Sequence, residues 1–377
     1  MSKVFLGDVA KERKETCKGS KNGYPIVGLE HLTPEEITLS AWEEDKENSF
    51  SKMFHEGDVL FGRRRAYLKK AVVAPFKGIC SGDITVIEAI PEKILPELLP
   101  FIIQNDALFD FAVGKSAGSL SPRVKWENLK NYEFELPDME KQRELAKVLW
   151  AMDATKKSYQ KLLLKTDELV KAQFIEMFGI PGTDEKGWGL TTLGECCELN
   201  PRRPKDMDKE AEYSFVAMPS VSEKGIVDTS IWRPYPEVCK GFTYFAENDV
   251  LFAKITPCME NGKGGVAIGL KNGAAFGSTE FHVLRPIVGK SNPYWLYIIT
   301  MFSKFRTDAE KVMTGTGGQR RVPISYLDDY KISLPPLALQ EQFEAFVHQS
   351  DKSKFELEQA LTELTATHKK IISENLG

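Results

Sequence analysis

The sequence predicts an α+β protein of two tandem globular domains, each followed by a long helix, with the two helices pairing as an antiparallel coiled coil. Three observations predict this architecture: an internal repeat along the chain, short strand-like runs separated by Gly and Pro in each half, and an apolar heptad pattern closing each half. Because the halves are alike, we expect pseudo-two-fold symmetry.

The internal repeat is clearest where each half ends. Residues 136–142 (LPDMEKQ) return as residues 334–340 (LPPLALQ), a shift of 198 residues (334 minus 136). The same shift carries Arg123 onto Arg321 and Tyr132 onto Tyr330. A period this long indicates a duplicated domain rather than a solenoid. Two similar but unlike domains suit a ligand with two similar but unlike halves, and bipartite DNA is the leading candidate.

Each globular part, residues 1–137 and 180–335, mixes strand-like runs with one predicted helix. The runs are residues 58–61, 70–73 and 84–87 in the first part and residues 249–252, 265–268 and 281–284 in the second. Enrichment in Val, Ile and Phe between Gly and Pro is typical of strands. The helix is expected after Pro96 or Pro100 and after Pro293, because proline is favourable near a helix start.

The long helices are predicted over residues 138–179 and 336–377. Apolar residues recur there at heptad spacing, in the same phase in both halves. About 40 helical residues form a rod of roughly 60 Å, and apolar stripes would pair two such rods and so fix the distance between two DNA-reading domains. The residues expected between the helices are Leu145, Val148, Met152, Tyr159, Leu162, Leu169, Phe343, Phe346, Leu357, Leu361 and Leu364.

The composition is that of a globular protein, with 377 residues of which 42% are hydrophobic and 28% charged. There is no run of about 18 apolar residues and no signal-peptide core at the start, so we expect a cytoplasmic protein without membrane contact. The six cysteines contain no C-x-x-C pair and the histidines lack metal-ligand spacing, so neither disulfides nor a metal site is expected. With a net charge of −4, any DNA-binding surface must be a local cationic patch.

Three loop segments are candidate DNA contacts. The arginine run at residues 63–65 can bridge phosphates or bind guanine, or it is a solvated charged turn. Residues 315–321, matched by residues 116–123, combine glycine with Gln and Arg that can bind base edges, or form a flexible loop. Residues 202–205 are a third basic patch or an ordinary exposed loop. The expected DNA-binding residues are Arg63, Arg64, Arg65, Lys69, Lys70, Ser121, Arg123, Arg202, Arg203, Lys205, Lys254, Thr256, Gly317, Gly318, Gln319, Arg320 and Arg321.

Catalytic motifs in the chain are incomplete. Residues 114–116 and 289–291 (both GKS) lack the earlier glycine of a phosphate-binding loop, since Phe109 and Leu284 stand in its place. Residues 292–295 (NPYW) resemble part of an amino-methyltransferase site but lack its second proline, and a helix start is the preferred interpretation. We therefore expect a protein that is not an enzyme and binds no cofactor in its own chain.

The order of these segments resembles the specificity subunit of type I restriction-modification systems, over essentially the whole chain. Each half begins near a Leu-Gly-acidic signature (residues 6–8 and 193–195), contains a Gly/Asn-Asp-Val-Leu-Phe strand (residues 57–61 and 248–252) and ends in Leu-Pro before a Gln-bearing helix. Each piece is weak alone, and their repetition in order carries the resemblance. Residues 136–139 (LPDM) lack the second proline that is usual at this point in the family.

The resemblance implies that residues 1–137 and 180–335 are target recognition domains, each for one part of a split asymmetric DNA sequence, joined by conserved spacer helices. It implies two modification subunits that bind S-adenosylmethionine and methylate adenine, and restriction subunits that cleave and translocate DNA with ATP and Mg. Two other functions stay open: a self-contained DNA-modifying enzyme and a helical adaptor that binds only proteins.

Overall fold

The computed structural model describes residues 2–44, 48–118, 120–316 and 318–377. The chain divides into two compact units: unit 1 contains residues 1–162 and 357–377, and unit 2 contains residues 163–356. Each unit therefore combines one globular part with a segment of both long helices. The domain boundaries predicted at residues 137, 179 and 335 concern the globular parts, and they stay a prediction.

Unit 1 is built on three small sheets. Its strands are β1 Ser2–Phe5, β2 Ala10–Glu12, β3 Ile26–Val27, β4 Lys52–Phe54, β5 Val59–Gly62, β6 Ala71–Val73, β7 Gly78–Cys80, β8 Ile84–Ala89 and β9 Glu133–Leu136. Its helices are α1 Leu6–Val9, α2 Leu99–Ile103, α3 Asp106–Gly114, α4 Trp126–Leu129 and the first part of α5 Met139–Phe178. The sheet orders are β2-β8-β5-β6, β3-β7-β4 and β1-β9.

Unit 2 repeats this plan with a larger second sheet. Its strands are β10 Leu190–Thr192, β11 Cys197–Leu199, β12 Glu212–Val216, β13 Trp232–Pro234, β14 Thr243–Ala246, β15 Val250–Ala253, β16 Gly264–Val266, β17 Ala274–Gly277, β18 Phe281–Pro286 and β19 Lys331–Ser333. Its helices are α6 Leu193–Cys196, α7 Tyr235–Val238, α8 Pro293–Met301, α9 Ser303–Lys311, α10 Ile324–Asp329 and the first part of α11 Leu337–Leu376. The sheet orders are β11-β18-β15-β16, β13-β12-β17-β14 and β10-β19.

The first sheets of the two units have the same topology and register. In the order β2-β8-β5-β6, Val59 pairs with Ile87, and in the order β11-β18-β15-β16, Val250 pairs with Leu284. The six strand-like runs expected from the sequence correspond to β5, β6, β8, β15, β16 and β18. The tandem α+β architecture is therefore confirmed.

The repeated Asp-Val-Leu-Phe motif is a structural feature of both units. It is preceded by Gly57 or Asn248, whose φ angles of 84° and 67° lie in the left-handed region that Gly and Asn adopt most readily. The carboxylates of Asp58 and Asp249 are buried and accept the backbone N–H three residues earlier, in both cases at 2.7 Å. The motif closes a tight turn and starts a buried strand.

The repeated glutamine of each long helix also has a structural role. Gln142 is buried, accepts the N–H of Leu95 at 2.8 Å and donates to the carbonyl of Pro137 at 2.8 Å. Gln340 is buried in the same way, accepting from Asn292 at 2.9 Å and donating to the proline carbonyl before its helix at 2.9 Å. These hydrogen bonds fix the start of each long helix against its globular part.

The expectation of one helix in each globular part was wrong. In unit 1, α2 follows a short 3-10 turn at Pro96–Leu98, and α3 begins again after Asn105, whose side chain accepts the N–H of Ala107. In unit 2, α8 begins at Pro293 as expected, and extended backbone at Phe302 separates it from α9. Asparagine favours such a new start because its side chain satisfies a free N–H of the first turn.

The strict heptad was also wrong for part of α5. Val148, Leu162 and Leu169, expected in the helix interface, are 45%, 49% and 51% exposed. Leu145 is buried, and Met152 and Tyr159 are half-buried. Leu149 and Val170, each one position after an expected residue, are buried instead, as are Phe174 and Phe178. In α11, Phe343 is buried, while Phe346, Leu357, Leu361 and Leu364 are half-buried. The helices pack against a globular core as well as each other, which favours a 3.6-residue stripe over a 3.5-residue seam.

The two long helices pair within each unit. In unit 2 they run antiparallel, because Lys354 pairs with Asp167 at 3.2 Å while the ring of Phe343 packs on Phe174, with centroids 5.4 Å apart. In unit 1, Leu145 and Leu149 of α5 share one core with Ile372 and Leu376 of α11. None of the helices in the described residues is long and apolar enough to cross a membrane.

Candidate nucleic-acid interface

In unit 1, the arginine run lies beside the glycine-containing loop that the sequence analysis singled out. The chain leaves β5 at Arg63, whose N–H donates to the carbonyl of Asp83 at 3.1 Å and whose carbonyl accepts from Val124 at 3.0 Å. Two residues later the N–H of Arg65 donates to Pro122 at 2.8 Å. Backbone hydrogen bonds therefore bring together segments that are about 60 residues apart in sequence.

Unit 2 repeats this framework bond for bond. Lys254 follows β15, donates to the carbonyl of Glu280 at 2.9 Å and accepts from Val322 at 2.9 Å. The N–H of Thr256 donates to the carbonyl of Arg320 at 3.0 Å. Arg63 and Lys254 are thus equivalent positions, and in the sequence only the strand motif that precedes each of them indicates this equivalence.

A hairpin loop closes the framework in each unit. In unit 1, Ala117 and Arg123 exchange two backbone hydrogen bonds of 3.0 and 2.9 Å. In unit 2, Thr314 and Arg321 do the same at 3.0 and 2.8 Å. We call residues 117–123 the first hairpin loop and residues 314–321 the second hairpin loop. Their similar closure places two loops of unlike sequence on the same scaffold.

The arginine at the end of each hairpin loop is bound by a carboxylate of its own unit. Arg123 donates to Asp83 through Nε at 2.7 Å and through Nη2 at 3.3 Å. Arg321 donates to Glu280 through Nε at 2.9 Å and through Nη2 at 2.8 Å. These hydrogen bonds hold the pKa of each carboxyl group below its usual range. Both arginines were expected to contact DNA, and the structure gives each a partner within the protein.

Arg63 and Lys254 have no such carboxylate. Within the described residues, neither side chain has a hydrogen bond or an ion pair, and the Nε of Arg63 is buried without a partner. Burial lowers the pKa of Lys254. Lys254 lines a groove of about 250 Å³ together with Asn200, Pro201, Thr243, Tyr244 and Phe281. An anionic group entering this groove would find a cation that has no direct ion pair with a carboxylate of the described residues.

Of the other two arginines in the run, Arg64 contacts the first hairpin loop and Arg65 is exposed to solvent. Arg64 donates to the hydroxyl of Ser121 at 2.5 Å and lies 3.5 Å from Asp83. Arg65 is exposed, with a left-handed φ of 54°. The structure therefore brings Arg63, Arg64, Arg65 and Ser121 together at the first hairpin loop.

Lys69 and Lys70 do not join this group. Lys69 pairs with Asp106 of α3 at 2.6 Å, and Lys70 donates to the carbonyl of Leu29 at 2.7 Å. Their positive charges stabilise contacts inside unit 1, so we assign them to packing rather than to the candidate interface.

The second hairpin loop carries its own polar contacts. Thr256 donates through its hydroxyl to the carbonyl of Gly318 at 2.5 Å and accepts from the N–H of Arg320 at 3.1 Å. The guanidinium of Arg320 lies 3.5 Å from Glu310, and Gln319 is exposed. Gly317, also expected to contact DNA, lies outside the described residues.

The third basic patch directly follows a residue that lines the groove beside Lys254. Pro201 lines that groove, and Arg202 and Lys205 after it are exposed. Arg203 donates to the carbonyl of Cys239 at 2.6 Å, and its guanidinium lies 5.5 Å from the ring of Tyr235. Arg202 and Lys205 are therefore available to a ligand, while Arg203 orders the loop.

Sequence reasoning missed the two carboxylates, Asp83 and Glu280. A signal was present, because each stands directly before an equivalent strand, β8 or β18, and each partner arginine lies at matching positions of the repeat. His282, one of the histidines without metal-ligand spacing, has a structural contact, since its Nε2 donates to the carbonyl of Val322 at 2.8 Å. Burial lowers the pKa of His282 to about 4, so this histidine is neutral at pH 7.

Comparison with known proteins identifies the repeated domain. The family model of the type I restriction modification DNA specificity domain matches the chain twice, over residues 1–164 and 185–365. These two matches cover most of the chain and follow the two halves of the repeat.

Two curated relatives come from Escherichia coli. The chain is 41% identical to the type I restriction enzyme EcoEI specificity subunit over 153 residues, which are 40% of this chain and 25% of that protein. It is 39% identical to the type I restriction enzyme EcoAI specificity subunit over 194 residues, which are 51% of this chain and 32% of that protein. The matched stretches thus span a quarter to a third of the length of these relatives.

A solved structure with the same fold covers both units. It describes complex assembly and conformational transition of the type I R-M system, and the matching chain is 20% identical with a TM-score of 0.59 over 99% of this chain and 97% of that chain. At this identity the likeness concerns the fold alone, and it agrees with two tandem α+β domains.

Proposed function

The chain belongs to the type I restriction modification DNA specificity family, and from this premise we propose that it is the sequence-specificity subunit of a type I restriction-modification complex. In this proposal each unit reads one half of a bipartite asymmetric DNA site. The chain itself carries out no catalysis and directs adenine methylation and restriction by partner subunits.

The duplicated framework around the two hairpin loops is the observation that supports this proposal. The same backbone hydrogen bonds place Arg63 beside the first loop and Lys254 beside the second, while the side chains that the loops present differ. A constant scaffold with unlike side chains is what recognition of two unlike half-sites requires, because base edges are distinguished by individual donors and acceptors.

The available side chains suit different contacts in the two units. In unit 1, the guanidinium group of the exposed Arg65 can donate two hydrogen bonds to guanine, and Arg63 can bind a phosphate. In unit 2, the exposed amide of Gln319 can bind adenine, and Lys254 with Arg202 can bind phosphates. These contacts keep the positive charge local, as the net charge of −4 demands.

The long helices offer a surface for partner subunits. In unit 2, Leu164 and Leu169 of α5 and Phe355 of α11 expose large apolar side chains, with Leu164 67% and Phe355 59% exposed. Apolar positions of this kind favour packing against helices of another chain. We assign this surface to two modification subunits, which would supply S-adenosylmethionine, with restriction subunits supplying ATP and Mg in a cytoplasmic complex.

The test is the adenine methylome of a host that expresses this chain with its modification subunits, compared with a host lacking only this chain. We expect a split asymmetric motif that disappears when the chain is absent. The motif would also provide both half-sites and the spacer. An unchanged methylome in the presence of active modification subunits would contradict the proposal.

A further inference from the structure

Asp83 and Glu280 occupy the same place in the two units, directly before β8 and β18. Each accepts two hydrogen bonds from the arginine that ends its hairpin loop, Arg123 or Arg321. Their backbone carbonyls also accept from Arg63 and Lys254. A carboxylate is therefore built into the centre of each candidate DNA-binding surface, where it would repel phosphate.

We propose that Asp83 and Glu280 determine specificity by holding Arg123 and Arg321 as supports of the hairpin loops and by withholding their charge from sequence-independent phosphate contacts. This inference rests on the function proposed above. It makes the carboxylates positioning residues, which act on DNA recognition through the arginines they bind.

The exposure of the ion pairs supports this role. The side chains of Arg123 and Arg321 are 43% and 42% exposed, whereas those of Asp83 and Glu280 are 19% and 24% exposed. The arginines thus lie at the surface and would reach a DNA backbone if their carboxylates released them. Ion pairs this exposed contribute little to folding stability, so stability alone gives no reason to build the same pair twice.

The cost of releasing an arginine would be a loss of discrimination. A phosphate contact increases affinity for every DNA sequence, and it adds about 0.9 to the slope of log affinity against log salt. Specificity depends on the ratio of specific to non-specific affinity, and a new phosphate contact increases both. A carboxylate that neutralises the arginine keeps the non-specific affinity low.

The two units differ in the number of arginines that one carboxylate neutralises. Asp83 binds Arg123 and also lies 3.5 Å from the Nη1 of Arg64. Glu280 has an ion pair with Arg321 alone among the described residues, because Lys254 interacts with it only at longer range. Removal of the charge should therefore have the larger effect in unit 1.

The experiment uses the full chain assembled with its modification subunits. Binding to a duplex that lacks the methylated motif is measured by fluorescence anisotropy at increasing salt. We expect Asp83→Asn to steepen the salt slope by up to about 1.8 and Glu280→Gln by about 0.9, as two arginines and one arginine are released. In the methylome, Asp83→Asn should relax one half of the motif and Glu280→Gln the other.

Charge-neutral double variants separate this role from a purely structural one. Glu280→Gln with Arg321→Gln removes the whole pair, so its salt slope should return to that of the original complex. Unchanged slopes for both single variants, or a double variant that keeps the steeper slope, would overturn the inference. A complex without these substitutions that shows no split motif would instead contradict the proposed function.

Discussion

Unit 1 and unit 2 build the same backbone framework and present different side chains on it. After β5 unit 1 carries Arg63, Arg64 and Arg65, whereas the equivalent stretch after β15 in unit 2 is Lys254, Ile255 and Thr256. The hydrogen bonds that hold both stretches involve backbone atoms. Recognition can therefore change from one unit to the other without a change of fold.

A buried aspartate occupies the same position in both units, whereas its partner arginine comes from a different place in the sequence. Asp58 pairs with Arg13 at 2.7 Å, and the equivalent Asp249 pairs with Arg285 at 2.6 Å. Arg13 follows β2, but Arg285 lies within β18, on a different strand of the equivalent sheet. The position of the carboxylate is constant because it caps a turn, while its arginine needs only to reach the same point in space.

The first prediction concerns the free energy of unfolding of each unit, and it tests whether each buried aspartate stabilises only its own unit. Asp249→Ala should destabilise unit 2 by about 4 kcal/mol, since it leaves Arg285 without its carboxylate and a turn without its cap. Asp58→Ala should destabilise unit 1 by less, because Arg13 also pairs with Glu88 at 3.2 Å. Hydrogen exchange of peptides from each unit measures both.

Asp308→Ala, which removes an exposed ion pair with Lys304, is the control and should cost less than about 0.5 kcal/mol. Equal loss of protection in both units from one substitution would contradict separate roles.

The second prediction concerns the pH dependence of stability, which should differ between the units. Unit 2 has His282, and the equivalent residue of unit 1 is Thr85. Because burial lowers the pKa of His282 to about 4, the unfolded chain binds a proton between about pH 6.5 and 4 while the folded unit does not. The stability of unit 2 should therefore decrease by about 3 kcal/mol as the pH falls through this window.

The matched control for this pH effect copies unit 1 into unit 2. His282→Thr should remove that part of the pH dependence, whatever its effect on stability at pH 7. Hydrogen exchange of β18 peptides at pH 4.5 and pH 7 measures the difference, after correction for the intrinsic exchange rate. A pH dependence that persists in the variant would show that another group is responsible.

The third effect concerns DNA and sharpens the comparison at the hairpin loops. Arg65→Ala should weaken recognition of one half-site by about 2 kcal/mol, and Gln319→Ala should weaken the other by a similar amount, since each removes a proposed base contact. Competition binding with duplexes altered in either half measures the two losses. Equal losses at both halves from Arg65→Ala would make Arg65 a general phosphate contact.

The smallest effect on stability is expected on the long helices. Leu164→Ala or Phe355→Ala should change the free energy of unfolding by less than about 0.5 kcal/mol, because these side chains are exposed. The same substitutions should weaken association with the modification subunits, measured by calorimetry. The buried Phe343→Ala is the contrasting variant and should destabilise unit 2 by at least about 3 kcal/mol. Unchanged association for both exposed positions would place the partner elsewhere.

The sequence predicted the parts of the fold that depend on local pattern and on the repeat. Strands β5 and β15, the helix start at Pro293 and the two 40-residue helices all follow from short-range signals. The buried face of α5 did not, because its position depends on a globular core far away in sequence. Val148 and Leu149 have nearly the same apolar character, and only packing decides which one is buried.

The candidate site was predicted in its location but not in its electrostatics. The arginine run and the glycine-containing loop do lie together in unit 1. A single sequence does not show that Arg123 is bound by a carboxylate 40 residues earlier, or that Lys69 pairs with Asp106. Such pairings depend on strand register, and they decide which cations remain available to DNA.

The most direct test of the account replaces one unit's reading part by the other's. Leu6 and Leu193 donate equivalent hydrogen bonds to Tyr132 and Tyr330, so residues 6–132 can be exchanged for residues 193–330 at matching junctions. The methylome of a host with this chimera should contain a motif made of two copies of the half-site that unit 2 reads. A motif that keeps two unlike halves, or one identical to the original, would contradict the claim that each unit reads its own half.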